Sequence, residues 1–182
     1  MLSPTGRCHT LDAAADGFVP GEAVAVMVLK RLDRALADNN RILGVIRGWG
    51  TNQDGASNGI TAPSATAQTA LIRDVHRCFG IDPAGIDYVE LHGTGTRLGD
   101  PVEMEGLAGA FGDSNSVCGV GSVKSNVGHT LAAAGAVGLA KVLLALRAEV
   151  LPPSLHFQRL NADIQLDGTP FRPVAELTPW PR

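Results

Sequence analysis

The chain predicts an α/β fold, a largely parallel sheet with flanking helices, and two observations carry that prediction. Short apolar runs of strand character alternate with stretches of helical period along the sequence. Two of those runs end in glycine-rich loops that each carry a histidine, His92 and His129, and in an open α/β sheet the loops leaving neighbouring strands converge on one crevice.

Taken in order, residues 24–29 form a short β-type run, residues 31–38 a polar helical stretch, and residues 42–49 a second strand. Residues 50–64 read as loop, because Asn52-Gln-Asp-Gly55, Asn58-Gly59 and Pro63 are all turn chemistry. Over residues 66–79, Ala67, Leu71, Val75 and Cys78 recur at helical spacing, and Gly80 supplies a stop. A strand over 87–91 follows. Asp100, Pro101 and Glu103 then read as the cap, first residue and capping-box acid of a helix running to Phe111. A strand over 117–123 ends on Lys124, and a helix starts from about His129. Residues 130–146 are the most apolar stretch; Lys141 interrupts them and Ala and Gly outnumber Leu, so they predict a buried core helix rather than a membrane span. Six of the eleven prolines fall between Leu151 and Arg182, which rules a helix out of this tail and predicts extended segments and turns.

Composition narrows the function. The 182 residues are 45% hydrophobic and 18% charged, enough for one domain, or part of one, with a sizeable core. A net charge of −3 with interspersed signs, and only 4% aromatic residues, argue against a nucleic-acid partner. Cys8, Cys78 and Cys118 are odd in number and widely spaced, indicating neither a disulfide framework nor a zinc site and fitting a reducing cytoplasm. The first residues carry no secretion signal.

Among the histidines, His9, His76 and His156 read as structural, whereas His92 and His129 sit where glycines let the backbone turn sharply toward a ligand. From setting alone, a structural and a functional role stand level for those two. Gly93-Thr-Gly-Thr96 lacks the spacing of a phosphate loop. Asp100 and Glu103 are read first as structural. A desolvated Lys124 needs a carboxylate or loses its proton.

Asp16-Gly-Phe18, Gly21-Glu22, Leu29-Lys30, Asn52-Gln-Asp-Gly55, His92-Gly-Thr-Gly-Thr96 with Leu98-Gly-Asp-Pro101, and Lys124-Ser-Asn-Val-Gly-His129 stand in the order found in β-ketoacyl synthase domains. The combination resembles the ketosynthase of modular type I polyketide synthases over essentially the whole chain. Ala23, where the family usually has glycine, departs from it locally.

The resemblance implies an incomplete thiolase-like fold, with residues 1–40 ending the N-terminal half, 41–150 forming the core of the C-terminal half, and 151–182 an extended tail. It implies a decarboxylative Claisen condensation in which a cysteine holds the growing acyl chain. No match to that cysteine's elbow is found, so the chain is expected to be inactive alone. His92 and His129 are implied to donate N–H groups to a malonyl-type thioester, with Lys124 behind them orienting a histidine. Some relatives pair this lysine with a Glu on the following helix; Gly138 stands there, which leaves Glu103 as a candidate partner. Thr94 and Thr96 are implied to line the tunnel for the phosphopantetheine of an acyl carrier protein. No metal or cofactor is implied to bind directly. The implied partners are the carrier protein, a cysteine-bearing remainder of the domain, and a second copy in the homodimeric parent. A naturally split synthase and a carrier-binding scaffold are the alternatives.

Overall fold

The computed structural model describes residues 1–57, 59, 62–112 and 116–181. In chain order the elements are α1 (Leu32–Ala37), α2 (Ala65–Phe79), β1 (Tyr88–Glu90), α3 (Gly99–Phe111), β2 (Cys118–Gly121), α4 (Lys124–Val127), α5 (Ala134–Ala148), β3 (Val150–Leu151), β4 (Phe171–Pro173) and β5 (Thr178–Pro179). β1, β2 and β4 form a parallel sheet in that order, with Val89 opposite Val120 and Val120 opposite Pro173. β3 and β5 pair antiparallel.

α2 follows its sequence signals closely. Ser64 accepts the Ala67 N–H at its start, and Gly80 closes it in the left-handed conformation that a side chain resists. α2 packs tightly on α3: Thr69 Oγ1 donates to the Gly106 carbonyl at 2.9 Å, and a Cβ on Gly109 would lie 2.7 Å from that hydroxyl. Beneath them Leu91, Met104, Leu107, Phe111, Cys118, Val120 and Phe171 form the core, joined by Leu11 from the N-terminal segment and Ile164 from the tail. Phe111 meets Phe171 edge-on with ring centres 4.9 Å apart.

The structure corrects several expectations. Residues 24–29 and 42–49 are not strands. A strand is defined by a hydrogen-bonded neighbour, and neither segment has one among the described residues. Their apolar side chains face solvent instead, Val24, Val26 and Val28 at 95%, 82% and 92% exposure. The 42–49 run does have one covered side, where Gly44 and Gly48 approach Leu143 of α5 and Phe79 of α2. Residues 130–146 are helical from Ala134 onward, after a 3₁₀ turn at Leu131–Ala133, but they are not a buried core helix. Only Gly138, Lys141 and Ala145 of α5 are buried, because a single face of it meets the sheet. By length and hydropathy Leu131–Ala148 is apolar enough to cross a membrane, yet the buried ion pair of Lys141 with Glu90 turns its polar residue onto the sheet.

α3 begins two residues earlier than the capping signals predict, and Asp100 and Glu103 do not cap it. Lys124 begins α4 rather than ending a strand. The tail is extended as expected, and β4 completes the sheet. Asn58 of the expected Asn58-Gly59 turn lies outside the described residues.

Candidate active site

β1 and β2 are neighbours, so the loops leaving their carboxyl ends meet at one rim. The first loop carries His92, and the second runs through α4 to His129. Their rings stand edge to face, centroids 5.1 Å apart and planes at 85°.

The His92 loop is held from two sides. Glu103, reaching back from α3, accepts the His92 N–H at 2.7 Å and the Gly93 N–H at 2.8 Å. Asp100, buried, accepts the Leu11 N–H at 2.8 Å and the Gly95 N–H at 3.1 Å. Thr10 Oγ1 donates to the Gly93 carbonyl at 2.7 Å. Gly93 has φ +42° and Gly95 φ +73°, and a Cβ on Gly93 would lie 2.7 Å from Thr10 and 2.8 Å from Ser122, so the loop closes only with glycine there.

His129 is fixed by its own backbone and by its neighbour in sequence. Its N–H donates to the Val19 carbonyl at 2.6 Å, and its carbonyl accepts the Gly21 N–H at 3.0 Å. Phe18 packs its ring 5.6 Å away, edge-on. The Leu131 N–H donates to His129 Nδ1 at 3.0 Å. A neutral imidazole that accepts at Nδ1 carries its proton on Nε2, leaving that N–H free to donate.

Electrostatics keep both rings neutral. Packing around His92, then the Lys124 ammonium and the adjacent His129, push its pKa down to about 4, although the residue as a whole is exposed. Burial and Lys124 lower His129. Lys124 is itself lowered by burial, opposed by the carboxylates of Glu103 and then Glu90. Glu103 acts on Lys124 through space, without an ion pair within 4.0 Å among the described residues. Burial raises Glu103 to about 7 and Asp100 to about 6, each opposed by the backbone N–H groups it accepts.

Thr94 and Thr96 stand side by side, hydroxyls 3.3 Å apart, and Thr96 Oγ1 also accepts the Gly99 N–H at 3.2 Å. A cavity of about 820 Å³ lies beside them; among the described residues its walls include Thr96, Arg97 and Asp16 but not Thr94 or either histidine. Burial raises the Cys8 and Cys118 thiols, Cys118 to about 12, so neither is an activated nucleophile. Sequence reasoning passed over Glu90, Phe18 and the Leu131 N–H. An acid inside the apolar run Tyr88-Val-Glu-Leu91 was the signal available for the first; Phe18 reaches His129 through tertiary ring packing and Leu131 through its backbone N–H, neither of which is a local signal.

The pattern of the beta-ketoacyl synthase C-terminal domain matches residues 43–158, and that of the N-terminal domain matches residues 1–35. Polyketide synthase PksL of Bacillus subtilis is 50% identical over 99% of the chain, which spans 4% of that protein. The mycocerosic acid synthase-like polyketide synthase of Mycolicibacterium smegmatis is 49% identical over 100% of the chain, which spans 8% of it. The ketosynthase from module 6 of the bacillaene synthase from B. subtilis 168 superimposes with a TM-score of 0.97 at 50% identity, covering 100% of this chain and 34% of that one. The Streptomyces albus oxazolomycin ketosynthase domain OzmH KS7 does so at 0.90 and 42%, covering 99% and 33%. With its thiolase-like architecture and more than half its length inside the family pattern, the chain belongs to the β-ketoacyl synthases.

Proposed function

We propose that this chain supplies the histidine half of a polyketide ketosynthase site, for decarboxylative condensation of a malonyl-type extender with an acyl thioester. The observation that carries the reading is the pair of facing imidazoles, one with its Nδ1 already occupied as an acceptor. The extender arrives on the phosphopantetheine of an acyl carrier protein, past the Thr94 and Thr96 hydroxyls. Its carboxylate leaves as carbon dioxide, and the electron pair of the broken C–C bond becomes an enolate. His92 and His129 each donate an N–H to the thioester oxygen as charge develops there. The enolate carbon then attacks the acyl group held on a cysteine outside this sequence, forming the new C–C bond and releasing the thiolate. Lys124, whose ammonium acts on both rings, favours the developing negative charge and adds to burial in keeping the imidazoles neutral.

Preorganised donors of this kind contribute about 3 kcal/mol each. In the complete ketosynthase, His92→Ala or His129→Ala lowers carbon dioxide release from malonyl-carrier protein by about 10² to 10³-fold. Near-normal release in either variant refutes the assignment.

On this reading the chain alone does not condense, residues 1–40, 41–150 and 151–182 are the end of one half, the core of the other and a tail, and the parent domain is a cytoplasmic homodimer. The exposed valines of residues 24–29 favour further ketosynthase polypeptide covering them, on the same chain or on a separate one as in a split synthase. Mixing this chain with a cysteine-bearing complement and assaying condensation separates an assembled enzyme from a carrier-binding scaffold, which binds a pantetheine probe without turnover.

A further inference from the structure

Glu90 ends β1, two residues before His92, yet its carboxylate serves the other histidine loop. Oε1 accepts the Val123 N–H at 2.6 Å, immediately before Lys124 and α4. Oε2 accepts the Tyr88 hydroxyl at 2.7 Å and Lys141 Nζ at 2.8 Å, and Lys141 Nζ also donates to the Tyr88 oxygen at 2.7 Å. The cluster is nearly dry, with the Lys141 and Glu90 side chains 8% and 12% exposed. Gly138 of α5 leaves room for it, since a Cβ there would lie 3.2 Å from Glu90 Cγ.

Replacing a buried ion pair by apolar residues is often neutral or stabilising, so stability alone is a weak reason for this cluster. Its geometry supplies a stronger one. The geometry points to Glu90 as a positioning residue: by accepting the Val123 N–H it fixes the turn that carries Lys124 and delivers His129 opposite His92, while Lys141 and Tyr88 hold its second oxygen. This rests on the histidines acting as the enolate donors.

A carboxylate is required because donors approach both of its ends. In Glu90→Gln one end becomes an NH₂; the buried Lys141 ammonium draws the one remaining carbonyl oxygen to itself, so the NH₂ faces the Val123 N–H and that contact is lost. Adding Lys141→Met removes the competing donor, so the amide can turn its oxygen to Val123 and its nitrogen to the Tyr88 oxygen.

The test measures malonyl-carrier decarboxylation and thermal melting in the complete ketosynthase, with His92→Ala as control. Glu90→Gln is expected to lower kcat about tenfold or more with KM nearly unchanged, the signature of a misplaced catalytic ring. Glu90→Gln with Lys141→Met is expected to recover kcat to within about threefold of the original. Unchanged kcat in Glu90→Gln beside an inactive control overturns the proposal alone, and so does a double variant that regains its melting temperature without its kcat. If Glu90→Gln does not fold, the kcat of the folded double variant decides by the same criterion. Turnover retained by His92→Ala removes the histidine reading and this one with it.

Discussion

His92 links site electrostatics to stability with a definite sign. Its folded pKa of about 4 lies below the ordinary 6.5, so between those values the unfolded chain binds a proton that the folded one refuses. Its contribution to stability is therefore lost as pH falls from 6.5 toward 4 and is constant below. Asp100 and Glu103, raised to about 6 and about 7, act in the opposite sense, because the folded state holds their protons where the unfolded state has released them. Comparison with His92→Asn isolates the histidine from these carboxyls. The original protein is expected to lose stability relative to His92→Asn between pH 7 and pH 5 in urea unfolding; a change of the opposite sign contradicts the neutral-ring assignment.

The turns that present the rings set the precision of the site. Gly128, between α4 and His129, has φ +75° and ψ −176°, a conformation essentially confined to glycine, and a Cβ there would lie 2.9 Å from the Val19 carbonyl. That carbonyl is the acceptor for the His129 N–H. Gly128→Ala is expected to cost about 1–3 kcal/mol in stability and to lower decarboxylation through displacement of His129. A denaturation curve and a turnover assay on the same sample check both effects. On the His92 side, Glu103→Gln presents an NH₂ to one of the two N–H groups it now accepts, leaving a donor unpaired at a cost of about 1–3 kcal/mol. Both loops and both histidines were legible in the sequence, because a strand-like run followed by glycines announces a turn at a sheet rim. α2 was legible for a similar reason: its cap, period and stop are local signals. The roles of Asp100 and Glu103 were not, since a capping box and a pair of carboxylates reaching back to a preceding loop share one sequence pattern. Glu90 escaped because only the register of β1 beside β2 brings its carboxylate to Val123.

At the scale of the molecule, the largest gap between sequence and structure is the fate of residues 24–29 and 42–49. Their composition encodes strands, but a strand is a relation between segments, and the chain holds no partner for them among the described residues. Val45, Ile46 and Trp49 are 49%, 60% and 72% exposed, and Leu131 and Leu144 around α5 are 64% and 62% exposed. Extended backbone with free N–H and C=O groups beside apolar side chains is a template for pairing with another chain. The isolated chain is therefore expected to self-associate, its apparent mass in sedimentation rising with concentration. Val24→Lys with Val28→Lys and Ile46→Lys, which place charge on the unpaired segments without touching the sheet core, are expected to shift it toward monomer. Addition of the cysteine-bearing remainder of a ketosynthase is expected to do the same by occupying those edges, and in that case alone condensing activity appears with the change in mass. A monodisperse monomer with strong amide protection across residues 117–146 contradicts the account of these segments as unpaired edges.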